Sequence, residues 1–174
     1  MIVIETPRLI LRKFQDGDLD ELCLLYADSD IRRYFPGGVL SRAQTKEELD
    51  WHLDGGWPEH PELGLWATIH RPTGRFIGRC GLIPWTIDSQ PETEAAYLLA
   101  KEFWGKGLGT EAAGALVRHA FTRLRLVRLI ALIDAANIAS IRTAEKVGFS
   151  LERQVEVEGT KAQLYALSAH PRSE

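Results

Sequence analysis

The sequence predicts a mixed α+β domain, with about four helices packed on the faces of one sheet. Three observations lead there. Apolar residues recur at helical spacing in two early segments, then alternate as in strands from Leu65 onward. Trp104-Gly105-Lys106-Gly107-Leu108-Gly109-Thr110 separates an apolar strand-like run at 95–100 from a long apolar helix pattern. Pro72-Thr73-Gly74 and Glu158-Gly159 each divide two strand-like runs, as hairpin turns do.

Residues 8–14 alternate apolar and basic side chains and read as the first strand. Asp16-Gly17-Asp18 supplies a turn and an N-cap, after which Leu19, Leu22, Cys23 and Tyr26 keep helical spacing. Ser41 with Gln44 has the form of a capping box, and Leu49, Trp51 and Leu53 continue a second helix. Residues 55–61 form a loop rich in Gly, Pro and Trp. Residues 65–70 and 76–84 are strands around the first hairpin turn, and 92–99 is the next strand after a polar loop. Residues 111–124 are a strong helix, and 127–133 a β-branched, buried strand. Asn137 caps a short helix that stops at Gly148. Residues 149–157 and 161–167 close the chain as a hairpin. No repeat or linker interrupts this order, so residues 1–174 are expected to form one domain.

Apolar content of 45% and charged content of 26% are ordinary globular values. A net charge of −3 argues against a broad nucleic-acid-binding surface. Glu5 and Arg8 interrupt the N-terminus early, so no signal peptide is expected. No apolar run approaches the ~20 residues needed to span a bilayer, so no membrane partner is expected. Cys23 and Cys80 sit in apolar stretches, which suits reduced thiols in a cytoplasmic protein. His52, His60, His70, His119 and His170 have no metal-ligand spacing, so no metal site is expected.

The glycines at 105, 107 and 109 leave the backbone bare where a strand turns into a helix. Free N–H groups at a helix start attract an anion, so a pyrophosphate-bearing ligand is the first expectation. A Walker A loop, G-x-x-x-x-G-K-S/T, is absent. A dinucleotide fingerprint fails too, because the third glycine falls one residue early and the motif lies past mid-chain. The run instead resembles the acetyl-coenzyme A loop of the GNAT N-acetyltransferases, Arg/Gln-x-x-Gly-x-Gly/Ala. Gly107 and Gly109 match its small positions, and Trp104 stands where Arg or Gln is usual. Three further blocks are similar to the same family. Glu5-Thr6-Pro7-Arg8-Leu9-Ile10-Leu11-Arg12 resembles the opening of its ribosomal-protein N-terminal (RimJ/RimL-like) branch. Gly78-Arg79-Cys80-Gly81-Leu82 resembles its I-G-x-x-G strand. Residues 137–149 resemble its N-x-x-S-x-x-x-x-E-K-x-G-F block.

The resemblance implies a seven-stranded, mostly antiparallel sheet, splayed between its fourth and fifth strands. It implies acetyl-coenzyme A as co-substrate, with pyrophosphate on the backbone of Trp104, Gly105, Lys106, Gly107, Leu108, Gly109 and Thr110. Main-chain groups of Leu98 and Leu99 would meet the pantetheine arm or the acetyl oxygen, with Asn137 nearby. Ser140 would hydrogen-bond the coenzyme sulfur, since the tyrosine many relatives use as general acid is Ala144 here. Glu94, or Glu92 on the same strand face, would be the base. The same Asn137 and Ser140 also suit plain helix-start bonding. Tyr34, Phe35, Trp57 and Trp85 fall near the implied acceptor site, a groove walled by the two early helices and residues 55–61.

The implied acceptor is a primary amine, with a protein or peptide N-terminus favoured by the branch. A small amine (polyamine, amino acid or antibiotic) is the alternative. A non-catalytic acyl-coenzyme A-binding module is a third reading. Some relatives form dimers, so a homodimer is an implied assembly.

Overall fold

A computed structural model describes residues 1–169 of the chain; His170 lies outside them. Its strands are β1 (Ile2–Glu5), β2 (Leu9–Arg12), β3 (Gly64–His70), β4 (Arg75–Ile87), β5 (Gln90–Leu99), β6 (Arg128–Ile133), β7 (Ser150–Val157) and β8 (Thr160–Ser168). Its helices are α1 (Leu19–Ala27), α2 (Arg42–Leu53), α3 (Leu108–Thr122) and α4 (Ile138–Lys146). The strands form one sheet in the order β1-β2-β3-β4-β5-β6-β8-β7. Every neighbouring pair is antiparallel except β5 with β6. Among the described residues no helix is long and apolar enough to cross a membrane.

The sheet has eight strands, one more than expected. The expected single strand at 8–14 is the second arm of a hairpin, β1 with β2. Pro7 sits in the turn, which the Thr6 N–H closes by donating to the Leu9 carbonyl at 2.9 Å. The polar loop expected before residue 92 is a tight hairpin, because Asp88 and Ser89 take φ of 49° and 62° and let β4 run straight into β5.

Asp18 is not a side-chain cap for α1. Its carboxylate turns back to accept from the Gln15 N–H at 2.8 Å and from Arg12 at 2.7 Å. Ser41 and Gln44 do form the reciprocal capping box of α2. Val127 lies exposed just before β6 rather than buried within it.

The two faces of the sheet bury different helices. Leu65, Ala67, Ala96 and Leu98 pack with α1 and α2 around Leu22, Leu25 and Leu49. Ala95, Tyr97 and Leu99 pack with α3 and α4 around Leu108, Leu116 and Ala144. Alternation along β5 therefore aims even-numbered residues at α1 and α2, and odd-numbered ones at α3 and α4. The Ile77–Leu82 segment needs its glycines for close strand approach. A Cβ at Gly78 would press into the Leu98 carbonyl, and one at Gly81 into the Gly64 carbonyl.

Candidate active site

The chain leaves β5 through a 3-10 turn, Lys101–Phe103, and reverses into α3 at Gly105 and Gly107, whose φ values are 69° and 76°. Glycine takes that region without steric cost. Gly107 is the N-cap and brings no side-chain oxygen to the helix start. The N–H groups of residues 105–110 find no acceptor among the described residues. A Cβ built at Gly105 or Gly109 would meet nothing within 4 Å, so the space before the helix is open. A 15-residue helix whose first N–H groups are unpaired is a fitting cradle for a pyrophosphate.

The N-terminal motif holds this loop in place. Arg8 donates through Nη1 to the Lys106 carbonyl at 2.8 Å and through Nε to Glu111 at 2.6 Å. Glu111 also accepts from the Thr6 hydroxyl at 2.6 Å and the Arg8 N–H at 2.9 Å. Partial burial pushes the Glu111 carboxyl up, but these hydrogen bonds outweigh it and hold the group below the ordinary carboxylate value. The Trp104 indole donates to the Leu99 carbonyl at 2.7 Å. Lys106 places its ammonium 5.3 Å from the Phe103 ring centre. The Thr110 hydroxyl has no partner among the described residues and is half-buried.

β5 and β6 are in ladder register at one position only, Glu94 opposite Ile130. Past it they diverge, and a cleft of about 440 Å³ opens between them. Glu94, Tyr97, Asn137 and Ser140 all line this cleft; the glycine loop does not. Leu99 turns its carbonyl to Trp104, and the Leu98 carbonyl lies against Gly78 of β4.

Glu94 accepts from the Trp85 indole at 2.7 Å and, more weakly, from the Leu132 N–H at 3.4 Å across the gap. Burial pushes its carboxyl above the ordinary value, against the pull of the Trp85 bond. Glu92 has a different task, since Arg128 holds it at 3.1 Å and bridges to Glu152 at 2.8 Å. The two carboxylates thus divide into a cleft group and a strand-tying ion pair.

Asn137 caps α4, its Oδ1 accepting from the Ser140 N–H at 3.2 Å. The Ser140 carbonyl accepts from the Tyr97 hydroxyl at 3.2 Å. Burial pushes the Tyr97 phenol up to about 12, so it stays protonated. Tyr34, Phe35 and Trp85 line the cleft, but Trp57 does not. Trp57 packs edge-on against Trp51 of α2, ring centres 4.7 Å apart. The wall expected from residues 55–61 is instead the segment between α1 and α2, facing the β7–β8 hairpin.

Residues 8–150 match the family model described as an acetyltransferase (GNAT) domain. The chain belongs to the GNAT acetyltransferase family. It is 35% identical over 153 residues to the uncharacterized protein YkkB of Bacillus subtilis, covering 86% of each chain. It is 30% identical to the uncharacterized N-acetyltransferase p20 of Bacillus licheniformis, covering 87% of this chain and 84% of that one. Among solved structures, a GNAT-family acetyltransferase from Bacillus anthracis superimposes with a TM-score of 0.79 at 22% identity, covering 97% and 98% of the two chains. A spermidine N-acetyltransferase from Vibrio cholerae, in complex with CoA and spermine, gives 0.75 at 19% identity over 94% and 96%. RimL, a ribosomal L7/L12 α-N-protein acetyltransferase in complex with CoA, gives 0.76 at 18% identity over 97% and 98%.

This GNAT acetyltransferase is therefore an acyltransferase with the mixed fold its sequence predicts. Sequence reasoning passed over three of its cleft residues, Arg79, Arg32 and Tyr97, of which one carries a readable signal. Arg79 is a lone cation inside an apolar strand, which is visible in the sequence. Arg32 sits in a segment without periodicity. Tyr97 meets Ser140 only through a contact spanning 43 residues.

Proposed function

We propose that this chain transfers an acetyl group from acetyl-coenzyme A to the α-amine of a protein or peptide N-terminus, acting as a single domain. The observation that carries the reading is the cleft through the sheet, with Glu94 aimed at one face and Tyr97 and Ser140 gathered on the other. The uncapped α3 terminus would hold the pyrophosphate on the backbone of residues 105–110. Acetyl-coenzyme A supplies the activated acyl group. Glu94 takes a proton from the acceptor nitrogen, directly or through a water, as that nitrogen bonds the carbonyl carbon. Ser140 donates a hydrogen bond to the sulfur as the C–S bond breaks, and water completes its protonation. The Tyr97 hydroxyl, bonded to the Ser140 carbonyl, fixes the serine's position. The two free thiols, Cys23 and Cys80, suit a reducing compartment, the cytoplasm.

Ser140→Ala should lower kcat by ~10²–10³-fold, because a donor aimed at developing charge acts mainly in the transition state. Its N–H bond to Asn137 is made by the backbone and survives the substitution. Steady-state kinetics with a parallel melting curve separate the roles. A near wild-type kcat with a lower Tm would leave Ser140 only a helix-start residue.

A spermidine enzyme and RimL are both among the solved neighbours of this chain. Its opening motif, Trp104 and Ser140 favour the N-terminal branch. An α-amine titrates near ~8 and a lysine near ~10.4, so a weak base such as Glu94 suffices for the former at neutral pH. The test offers one peptide with a free N-terminus and an internal lysine, alongside spermidine and an aminoglycoside. Mass spectrometry should place the acetyl group on the N-terminus. Acetylation of the small amines alone would overturn the reading.

A further inference from the structure

Arg79 stands in β4 with only 6% of its surface exposed. Burying a guanidinium is costly unless its donors are paired. Here Nε donates to the Tyr26 hydroxyl, while the terminal nitrogens, which are not fully buried, make no hydrogen bond among the described residues. Arg79 lines the cleft, so those donors are available there. Arg32, also 6% exposed, lines the same end. Its Nε and Nη2 donate to the carbonyls of Gly38 and Pro36 at 2.7 and 3.2 Å, which fixes the guanidinium. Both cations sit over the Phe35 ring, 5.1 and 5.7 Å from its centre.

The charge balance at this end is positive. Among the described residues its one carboxylate is Glu48, which accepts from the Tyr26 hydroxyl at 2.6 Å, lies 3.8 Å from His52 and offsets part of the charge of both guanidiniums. Asp134, just after β6, and Glu158 and Lys161, in the β7–β8 hairpin, belong to the opposite wall. Arg79 and Glu94 share a sheet face, because Glu94 pairs with Ile83, four residues along β4 from Arg79. Those four residues place the two backbone positions ~13 Å apart.

We propose that the acceptor carries a carboxylate, and that Arg79 and Arg32 bind it while Glu94 receives the amine. This rests on the reading of Glu94 as the base at the amine end. A guanidinium pair matches carboxylate geometry with several charge-assisted donors. A polyamine would instead bring further positive charge against two buried cations. An extended peptide advances ~3.3–3.6 Å per residue, so an acidic side chain within the first few residues spans the separation. The α-carboxylate of a free amino acid has the same chemistry at shorter reach.

The experiment measures kcat and KM by thiol release for two peptides that differ only by Asp or Asn at the second and third residues. A free amino acid, its amide and spermidine complete the set, and mass spectrometry locates the acetyl group. The acidic peptide should be preferred about tenfold or more in kcat/KM, mainly through KM, and added salt should shrink the preference. A preference confined to the free amino acid over its amide would assign the carboxylate to that source. Arg79→Gln and Arg32→Gln should each bring the acidic-to-neutral ratio toward one. Where Arg79→Gln fails to fold, the wild-type ratio and the Arg32 variant still decide. Equal kcat/KM for the Asp and Asn peptides and for the amino acid and its amide, or a best rate with spermidine, overturns the proposal. Acetyl found on the N-terminus with a ratio near one overturns it and leaves the N-terminal reading standing. Acetyl found on lysine or on the amino acid, with acid preference intact, does the reverse. Transfer to none of these acceptors overturns both.

Discussion

Glu94→Gln is expected to lower kcat by ~10²–10⁴-fold, the span usual for loss of a positioned general base. The side chain keeps its size and can still accept from the Trp85 indole, so cofactor affinity should change little. Burial raises the Glu94 carboxyl above its ordinary value. The acid limb of the wild-type kcat/KM profile should therefore sit above the usual carboxylate range. In the variant that limb should be lost, leaving the titration of the acceptor amine. The stability consequence has a definite sign. A carboxyl whose folded pKa is raised stabilises the fold in its protonated form. That contribution is complete below the unfolded value near ~4.3 and is lost as pH rises through the folded one. Melting curves across this window should show a wild-type loss that Glu94→Gln lacks. An unchanged kcat would remove Glu94 from the chemistry.

Gly81→Ala should cost about 3 kcal/mol, at the upper end of core overpacking, and Gly81→Val should fail to accumulate as folded protein. The reason is space rather than backbone conformation, since the added Cβ would press into the Gly64 carbonyl and stand 2.7 Å from the Leu65 Cα. Both obstacles are backbone atoms of β3, and Leu65 pairs with Gly81 in the ladder. Neither can retreat without opening that pairing. For a domain of this size the loss corresponds to a fall in Tm of roughly 6–12 °C. Gly109→Ala is the contrast, because its Cβ meets nothing within 4 Å inside a helix that favours alanine. That variant should hold or raise Tm while weakening coenzyme A binding by calorimetry. Equal melting temperatures for Gly81→Ala and wild type would mean that β3 and β4 can separate there.

What the sequence discloses is mostly what a few neighbouring residues settle among themselves. Ser41 and Gln44 satisfy each other, Asn137 reaches three residues on, and Gly107 needs only its own φ. Local chemistry of that kind is written in order along the chain. β1 escapes because four residues give too short a period, and Pro7 reads as a breaker rather than as the hairpin's corner. The parting of Glu92 from Glu94 is decided by Arg128, 36 residues away. Trp57 is absent from the cleft wall because Trp51 offers a closer apolar partner. Arg8 reveals its work only against Glu111, 103 residues on. Strand alternation does carry one non-local fact, since it alone assigns Glu94 and Tyr97 to opposite faces.

The divergence of β5 from β6 gives this sheet an edge in its interior. Edges at the outside of a sheet invite other chains to add strands, and proteins shorten, charge or cover them. Here the unpaired groups are kept from that fate by position, with β4 and β8 outside them and helices above and below. A globular neighbour cannot reach them, and a second copy of the chain cannot zip onto them. A thin, extended molecule can. An edge hidden in this way selects its partner by width before any side chain inspects it.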